Sequence, residues 1–544
     1  MSIDLPVRSA TSVEVPTRRR ASLPDRGVLI LAATWFLVVG FAVLWLDRLG
    51  EGRTFFFDEW NFVVGRWRLE PDTFLAAHNG HLSIVPASVF YAMFEGVGLD
   101  NYRAFRLLGI IVHVSVATAV MLYVRRRLGS LAGLGAGIAI LLLGTGWQNI
   151  LWPFQIGFMG SVLGFVVALL LLERRSFAAD VGASACVAIA LGCSGVGVAV
   201  AGAVLVETLL TRPWRRWWVA LGPLFFYAIW YLAYGESQAE PTNVDAIPNY
   251  VSTSGSAAIA GLYGLSLDWG RFAFGVLLGL LVAKVLHRRG LPARVLALLA
   301  MLTAFWALTA LSRGQLGDPG ASRYVYVGAV VIVLLIAELV PIRAARTVAI
   351  AGLVLGLVSA WATADIMRAG AGSLRLAGEI VGAEIAVVEA LRQEVAADYV
   401  MDPVYAPGLE AGAYLDAVDG IGSSPASPVS AIRSLSELAR VGADRVLFEL
   451  APPDVSTDEP PPGTCEPGDF VSFDAEKTID SGTMAVVQST DPATIVSVGR
   501  WAPPSFPVEI GDQVTIISFA DDGGFGEPWT ITTESQGARI CFLG

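Results

Sequence analysis

The sequence predicts a mainly α-helical, polytopic membrane protein that carries a C-terminal domain with a small β-sandwich. Of its 544 residues 54% are hydrophobic and 16% are charged, whereas soluble proteins carry about 25% charged residues. The apolar residues gather in long blocks, and a block of about 20 residues is enough to cross a bilayer. The C-terminal region instead alternates short apolar runs with turn residues, which is typical of antiparallel strands.

The apolar blocks predict about 11 transmembrane helices. We place them at residues 27–46, 105–124, 131–144, 156–172, a tight pair within 179–210, 217–234, 271–286, 294–311, 324–340 and 346–364. The segment between the first two crossings is too polar and interrupted for a plain crossing, and we expect a helix at 81–97 that lies near the membrane surface or dips into it. If 179–210 is a single crossing, every later segment changes sides.

The arginine clusters orient these crossings. They lie at residues 18–20, 125–127, 174–175, 212–216, 288–289 and 343–346, all on one side of the predicted map. Cytoplasmic loops are enriched in Arg and Lys, so we expect a multi-pass plasma-membrane protein with a cytoplasmic N-terminus and an extracytoplasmic C-terminus. No basic tract suits nucleic acid, and the bilayer is the expected surroundings of the helices.

Composition divides the chain into four parts. We predict a disordered cytoplasmic tail at 1–26, a transmembrane domain at 27–364, a connecting helix at 365–400 and an extracytoplasmic α/β region at 401–544, with its sandwich from about residue 463. The expected strands are 470–473, 484–487, 494–498, 514–519, 529–533 and 538–543. Cys465 and Cys541 flank this sandwich, and outside the cell they are expected to form a disulfide; two unpaired thiols are the alternative.

Asp58 and Glu59 are the candidate catalytic pair. They follow the aromatic run Phe55–Phe57 just beyond the first crossing, and acidic residues next to hydrocarbon are costly to keep without a function. A carboxylate partly shielded from water has a raised pKa and can serve as a general base. The alternative is a solvated acidic pair in a loop.

Arginines and histidines on the same predicted side are candidates for binding an anion. Arg313 and Arg323 bracket a glycine-rich outer loop, and a guanidinium offers a fork of donors that suits phosphate oxygens. The alternatives are snorkelling to the interface or a salt bridge to Asp318. His81 is expected to donate to the same anion, and His78 to contact substrate; the alternative is that they are interfacial histidines without a ligand.

Three more residues near this pair are expected to contact substrate: Trp60, Arg103 and Gln155. Gln155 ends an aromatic segment, 146–155, which lines a groove or belongs to an interfacial aromatic belt. Trp501 and Trp529 in the β region either stack on a sugar ring or pack in the core. The spacing of His78 and His81 is loose for a metal site, so we expect no metal and no other cofactor, with a divalent metal as the alternative.

The order of these features resembles the GT-C class of polytopic glycosyltransferases. The residues that carry the resemblance are Asp58 with Glu59 opening a long external loop, His81 with Pro86, and 102–106 at the start of the second crossing. The resemblance covers about residues 27–364, and the C-terminal β region resembles the soluble domains that many members append. Together with an Arg-rich, Lys-poor composition it suggests a bacterial, actinobacterial member.

The resemblance implies an inverting enzyme that takes a sugar from a polyprenyl-phosphate donor on the outer face of the membrane. The acceptor would be a cell-envelope glycan or lipid, and arabinosyl or mannosyl transfer in cell-wall biogenesis is the expected type. The class's acidic residue in the first external loop maps to Asp58 or Glu59. Two alternatives stay open: a non-enzymatic carrier or assembly factor, and a polymerase or ligase that uses diphosphate-linked donors.

Overall fold

A computed structural model gives the architecture of the chain. It describes residues 26–211, 214–288, 290–340, 345–457, 460, 464–473, 475–491, 494–510, 514–519, 525, 527–535 and 537–543. The predicted tail at 1–26, apart from Arg26, lies outside the described residues, and so do some of the arginines that orient the predicted map. Within the described residues a helical bundle is followed by a smaller α/β region.

Eighteen α-helices form the larger part of the described chain. They are α1 Arg26–Leu49, α2 Asp58–Gly65, α3 Pro71–Leu75, α4 Ile84–Val97, α5 Tyr102–Leu128, α6 Ser130–Leu141, α7 Trp147–Leu151, α8 Ile156–Leu172, α9 Phe177–Cys193, α10 Val196–Leu210, α11 Trp218–Tyr234, α12 Ile247–Gly261, α13 Leu267–Arg288, α14 Ala293–Arg313, α15 Ser322–Leu339, α16 Ala345–Ala390, α17 Ala411–Ile421 and α18 Glu437–Leu450. The predicted surface helix at 81–97 is α4.

The described residues contain eight helices that are long and apolar enough to cross a membrane, or nine if a bent pair counts as one span. The bent pair is α6 with the segment Gly144–Leu151, at an angle of 43°. The prediction of about 11 crossings exceeds this number because α9 and α10, the predicted tight pair, have only 17 and 15 residues. The protein is therefore a multi-pass membrane protein.

The break after α6 has its polar backbone groups satisfied by neighbouring helices. Nε2 of the buried His113 on α5 lies 3.0 Å from the oxygen of Leu141. The backbone N–H of Gly144 donates to Oγ1 of Thr363 on α16 at 2.9 Å. Unpaired backbone groups are costly at membrane depth, so these contacts fix the point where the chain leaves α6 and turns into α7.

The last crossing and the predicted connecting helix are one continuous helix, α16, of 46 residues. The predicted boundary at 364/365 therefore falls inside a helix, and that helix ends at Ala390 instead of residue 400. Small residues let α16 approach α6 closely: a Cβ added at Gly135 would lie 2.1 Å from the oxygen of Gly352, and one added at Gly356 would lie 2.1 Å from the oxygen of Gly135. Such close backbone contact is common between membrane helices.

The described part of the C-terminal region contains nine strands in two antiparallel sheets. They are β1 Asp454–Ser456, β2 Val471–Ser472, β3 Lys477–Ile479, β4 Met484–Gln488, β5 Thr494–Gly499, β6 Phe506–Ile510, β7 Thr515–Ser518, β8 Trp529–Thr533 and β9 Arg539–Leu543. One sheet has the order β1-β7-β4-β9-β2 and the other β3-β8-β5-β6. The predicted sandwich is thus confirmed, with β1, β3 and β6 in addition to the six expected strands.

A disulfide and a buried carboxylate hold this region together. Cys465 and Cys541 are bonded, with their Cα atoms 5.8 Å apart, and the bond joins β9 to the segment before β2. Asp444 on α18 accepts three backbone N–H groups, from Arg500, Trp501 and Ala502. Trp501 and Trp529 are both buried, so they pack in the core and are not free to stack on a sugar.

Candidate active site

A cavity of about 890 Å³ lies where the first loop meets the ends of several membrane helices. Its apolar lining includes Phe158, Val198, Leu224, Tyr231 and Leu308, from α8, α10, α11 and α14. Its polar lining includes Asp58, His78, Asn79, His81, Gln148, Gln155, Arg313 and Arg323. The size is in the usual range for small-molecule sites, and the mixed lining suits a ligand with a hydrocarbon part and a polar part.

Asp58 begins α2 and lines the cavity, with its side chain half-buried. The residue before it, Phe57, has φ +51° and ψ −119°, a conformation that non-glycine residues rarely adopt. The backbone N–H of Phe57 donates to the oxygen of Tyr405 at 2.8 Å, and Asp402 fixes that turn by accepting from the N–H of Tyr405 at 2.6 Å. The strained residue is therefore held by the C-terminal region, and strain of this kind gathers at functional sites.

The charge of Asp58 is set by opposing influences. Burial raises the pKa of the Asp58 carboxyl, while the positive charges of Arg313 and Arg323 and a hydrogen bond from Asn79 lower it. The Asn79 Nδ2 donor lies 3.4 Å from Oδ2. A carboxylate whose pKa is raised but which still faces cations is suited to accept a proton near neutral pH.

Glu59 points away from the cavity and is fully buried. Its Oε2 accepts from the N–H of Phe56 at 3.0 Å and from the hydroxyl of Tyr102 at 2.9 Å, and its Oε1 accepts from the N–H of Phe154 at 3.1 Å. Burial raises the pKa of Glu59 to about 8, and these hydrogen bonds partly oppose the rise. Glu59 therefore joins the Asp58 helix to the segment around Phe154 and does not itself face a substrate.

We expect Glu59→Gln to destabilise the protein by about 1–3 kcal/mol and to slow turnover. Each Glu59 oxygen accepts a backbone N–H, so an amide must turn its NH₂ toward one of them and leave that donor unpaired. Because burial raises the Glu59 pKa from 4.5 to about 8, the neutral form is favoured in the fold. Its stabilising contribution is full below pH 4.5 and is lost as the pH rises through about 8.

Melting of the detergent-solubilised protein across this pH range measures the effect. The wild type should lose stability toward alkaline pH, and the Gln variant should start lower and change less. The matched control is Glu95→Gln, an exposed acid on α4. An unchanged melting temperature for Glu59→Gln at every pH would contradict the role given to this carboxyl.

His78 and His81 are brought together by a tight turn. Asn79 has φ +50° and Gly80 φ +73°, the type I′ pattern that Asn-Gly favours, and His78 and His81 exchange two backbone hydrogen bonds of 3.0 Å. The His81 ring lies against Gly195 in the break between α9 and α10, where an added Cβ would come within 2.5 Å of the imidazole. Burial lowers the pKa of both rings to about 4, aided by the charge of Arg313. Both are therefore neutral at pH 7 and act as hydrogen-bonding groups.

Arg313 and Arg323 are half-buried and line the cavity. Within the described residues no carboxylate oxygen lies within 4 Å of either guanidinium, so the alternative of a salt bridge to Asp318 is wrong. The Arg323 guanidinium carbon lies 4.9 Å from the centroid of the Tyr324 ring, a cation–π contact that orients it. Asn243, which donates to the oxygen of Leu311 at 3.1 Å, fixes the chain next to Arg313. Two oriented cations without anionic partners form a site for an anion.

The structure separates the other predicted residues into two groups. Gln155, His78 and His81 line the cavity. Trp60 does not: it is 1% exposed and packs on Phe55 and Tyr414, because α2 turns its apolar face to the core. Arg103 does not either, since it forms a salt bridge of 2.7 Å with Asp47 at the end of α1. Trp60 and Arg103, from which substrate contact was expected, therefore do not line this cavity, and neither does Glu59, the second member of the expected catalytic pair.

Four residues that complete the site were missed by the sequence reasoning. They are Asn79, Gln148, Gly195 and Tyr324, all of which line the cavity. Asn79 was visible inside the His78–His81 segment, and Tyr324 follows Arg323 directly. Gln148 lies on α7, within the segment 146–155 that was expected to line a groove or belong to an aromatic belt, and Gly195 lies in the break between α9 and α10. Only folding shows that both face this cavity. Among the described residues no group of three or more His, Cys, Asp or Glu side chains is placed to hold a metal ion.

Comparison with known proteins gives similarity only to solved structures. No protein-family model matches the chain, and no curated protein matches it. Two crystal structures of ArnT from Cupriavidus metallidurans are similar to it. The apo form has 18% identity and a TM-score of 0.43, covering 69% of this chain and 81% of ArnT. The form bound to undecaprenyl phosphate has 16% identity and a TM-score of 0.43, covering 74% and 89%.

A third similar structure is the oligosaccharyltransferase of Archaeoglobus fulgidus, tethered with an acceptor peptide. It has 13% identity and a TM-score of 0.37, and the match covers 78% of this chain and 69% of that one.

Proposed function

We propose that the chain is an inverting membrane glycosyltransferase of the GT-C type, which moves a sugar from a polyprenyl-phosphate donor to a cell-envelope glycan or lipid on the outer face of the membrane. One observation carries the proposal. The Asp58 carboxylate and the cations Arg313 and Arg323 line the same cavity, whose lining also includes apolar side chains of α8, α10, α11 and α14. A lipid phosphate fits this lining, with its chain against the apolar side chains and its phosphate at the arginines.

The chemistry that suits this arrangement is a single displacement. The acceptor oxygen forms a bond to the anomeric carbon while its proton passes to the Asp58 carboxylate. The bond between the anomeric carbon and the phosphate oxygen breaks, and its electron pair stays on the phosphate. Arg313 and Arg323 stabilise the negative charge that develops there. Attack opposite the leaving group inverts the anomeric configuration.

His78 and His81 are placed to hydrogen bond to the leaving phosphate without adding charge, and neighbouring residues hold their rings in position. Neutral His78 and His81 are available to hydrogen bond to phosphate or substrate hydroxyl groups. His81 is fixed by its contact with Gly195 and His78 by edge-on contacts with Phe62 and Phe154, whose centroids are 5.1 and 5.2 Å away. Rings held in this way keep their hydrogen-bonding atoms in place.

The test is transfer by purified, reconstituted protein from radiolabelled lipid-linked sugars to envelope acceptor material. We expect transfer from the polyprenyl-monophosphate donor and little from the matching diphosphate donor. Preference for the diphosphate would favour a polymerase or ligase. Binding of both donors without any transfer would favour a carrier, and would contradict the proposed function.

A further inference from the structure

The wall of the cavity between the catalytic carboxylate and the arginines carries polar groups that the proposed displacement does not use. We propose that Gln155 and Tyr324 form a subsite that binds the sugar ring of the donor and recognises its hydroxyl groups. This inference rests on the proposed function and adds the residues that select the sugar.

The first observation is a pair of polar atoms without partners. Oε1 of Gln155 and the hydroxyl of Tyr324 are buried and have no hydrogen-bond partner in the described part of the chain. Both side chains are only 4% exposed, and both line the cavity. Leaving a buried polar group unpaired costs about 1–3 kcal/mol, so two such groups in one cavity wall indicate a ligand that supplies the missing partners.

The second observation is where this wall is attached. At one end, the N–H of Phe154 donates to Glu59, the neighbour of Asp58. At the other end, the side-chain oxygen of Gln148 accepts from the N–H of Arg323 at 3.3 Å, and the N–H of Gln148 donates to Ser322 Oγ at 3.1 Å. The segment 148–155 thus connects the base to the cations.

The reaction requires the sugar ring to lie next to this segment, 148–155. The anomeric carbon is attacked by the oxygen next to the base and loses the phosphate next to the cations, so the ring lies between Asp58 and the two arginines. The wall that joins those two places is therefore the surface against which the ring rests. Gln155 is part of it, and Tyr324 follows Arg323 directly.

The third observation is an aromatic surface in the wall. The rings of Trp152 and Phe154 are stacked with centroids 5.4 Å apart, and Phe56 meets Trp152 edge-on at 5.2 Å. All three residues line the cavity. Trp152 itself is only 4% exposed, so this aromatic cluster acts as a rigid support that holds the segment 148–155, and with it Gln155, in place. A mostly apolar lining with a few fixed polar groups is the usual composition of a small-molecule site.

The chemistry of the two polar groups defines the ligand class. A Gln amide and a Tyr hydroxyl are uncharged and each can both donate and accept, so they match the hydroxyls of a neutral sugar. A site built to hydrogen bond a hydroxyl discriminates strongly against an analogue that lacks it. The subsite should therefore separate sugars by the position and presence of hydroxyl groups.

Binding measurements separate this subsite from the phosphate site. The probes are a short-chain polyprenyl phosphate and the same lipid phosphate carrying a neutral pentose or hexose, titrated into the purified full-length protein. The variants are Gln155→Met and Tyr324→Phe, which keep the shape of each side chain. Tyr250→Phe is the matched control, because Tyr250 is buried nearby but does not line the cavity.

We expect the wild type to bind the best sugar-bearing lipid more tightly than the sugarless one. Each variant should lose about tenfold in affinity for the sugar-bearing lipid, the equivalent of one hydrogen bond, and should keep its affinity for the sugarless lipid. Tyr250→Phe should match the wild type with both. Removing the contacted hydroxyl from the sugar should abolish the difference between wild type and variant.

Two results would overturn the subsite while leaving the proposed function intact. One is an equal loss of affinity for both lipids in the variants, which would show a structural role only. The other is a wild type that transfers sugar, together with variants whose affinity for the sugar-bearing lipid equals that of the wild type. Failure to bind either lipid phosphate would instead refute the proposed function and the subsite together.

Discussion

Asp58→Asn should reduce sugar transfer by about 10²–10⁴-fold, the usual contribution of a general base. The amide has nearly the same shape as the carboxylate and still faces Asn79, but it cannot take the acceptor proton. The measurement is initial-rate transfer from a labelled polyprenyl-phosphate sugar in reconstituted membranes. Full activity of this variant would remove Asp58 from the reaction.

The pH dependence gives an independent check on Asp58. Because burial raises its pKa above the ordinary value of 3.8, the wild-type rate should rise with pH as the carboxyl ionises, with a midpoint above 3.8. The residual rate of the Asp58→Asn variant should not show this rise with pH. Asp72→Asn is the matched control, since Asp72 is an exposed acid in the same loop and does not line the cavity; it should retain the wild-type profile.

Arg313→Ala and Arg323→Ala should each reduce transfer by about 10²–10³-fold, the usual loss when one group that stabilises developing charge is removed. The loss should be larger for the double variant, but less than the product of the two, because both cations act on one phosphate. Binding of the polyprenyl phosphate without its sugar should weaken as well, since the cations attract the phosphate before the reaction starts.

Arg103→Ala provides the matched control for the arginines. Arg103 is an exposed arginine at the same predicted side of the membrane, but Asp47 already binds it and it does not line the cavity. Its removal should leave transfer and lipid binding near the wild-type values. If Arg103→Ala were as inactive as Arg313→Ala, the loss would report on folding or surface charge and the phosphate site would need to be placed elsewhere.

Much of the membrane architecture follows from the sequence because apolar length is a local property. The long apolar helices, the shorter helix α4 and six of the nine described strands are predicted by runs of residues that need no knowledge of their neighbours. The predicted count exceeds the eight or nine described helices of spanning length at α9 and α10, two apolar helices of 17 and 15 residues that are separated by a short break. The predicted boundary at 364/365 falls inside the continuous helix α16. The composition of the chain changes at that point, but the helix continues through it.

Within the candidate site, the sequence determined which residue types are available and the tertiary structure decided which of them meet. An acidic pair, two arginines and two histidines on one predicted side can be read from the chain. That Asp58 faces the cavity while Glu59 is buried behind it depends on the strained turn at Phe57, which Tyr405 holds from more than 300 residues away in the chain. Trp60 and Arg103 likewise found partners in the fold, Tyr414 and Asp47, because a side chain's orientation depends on distant contacts that no local pattern encodes.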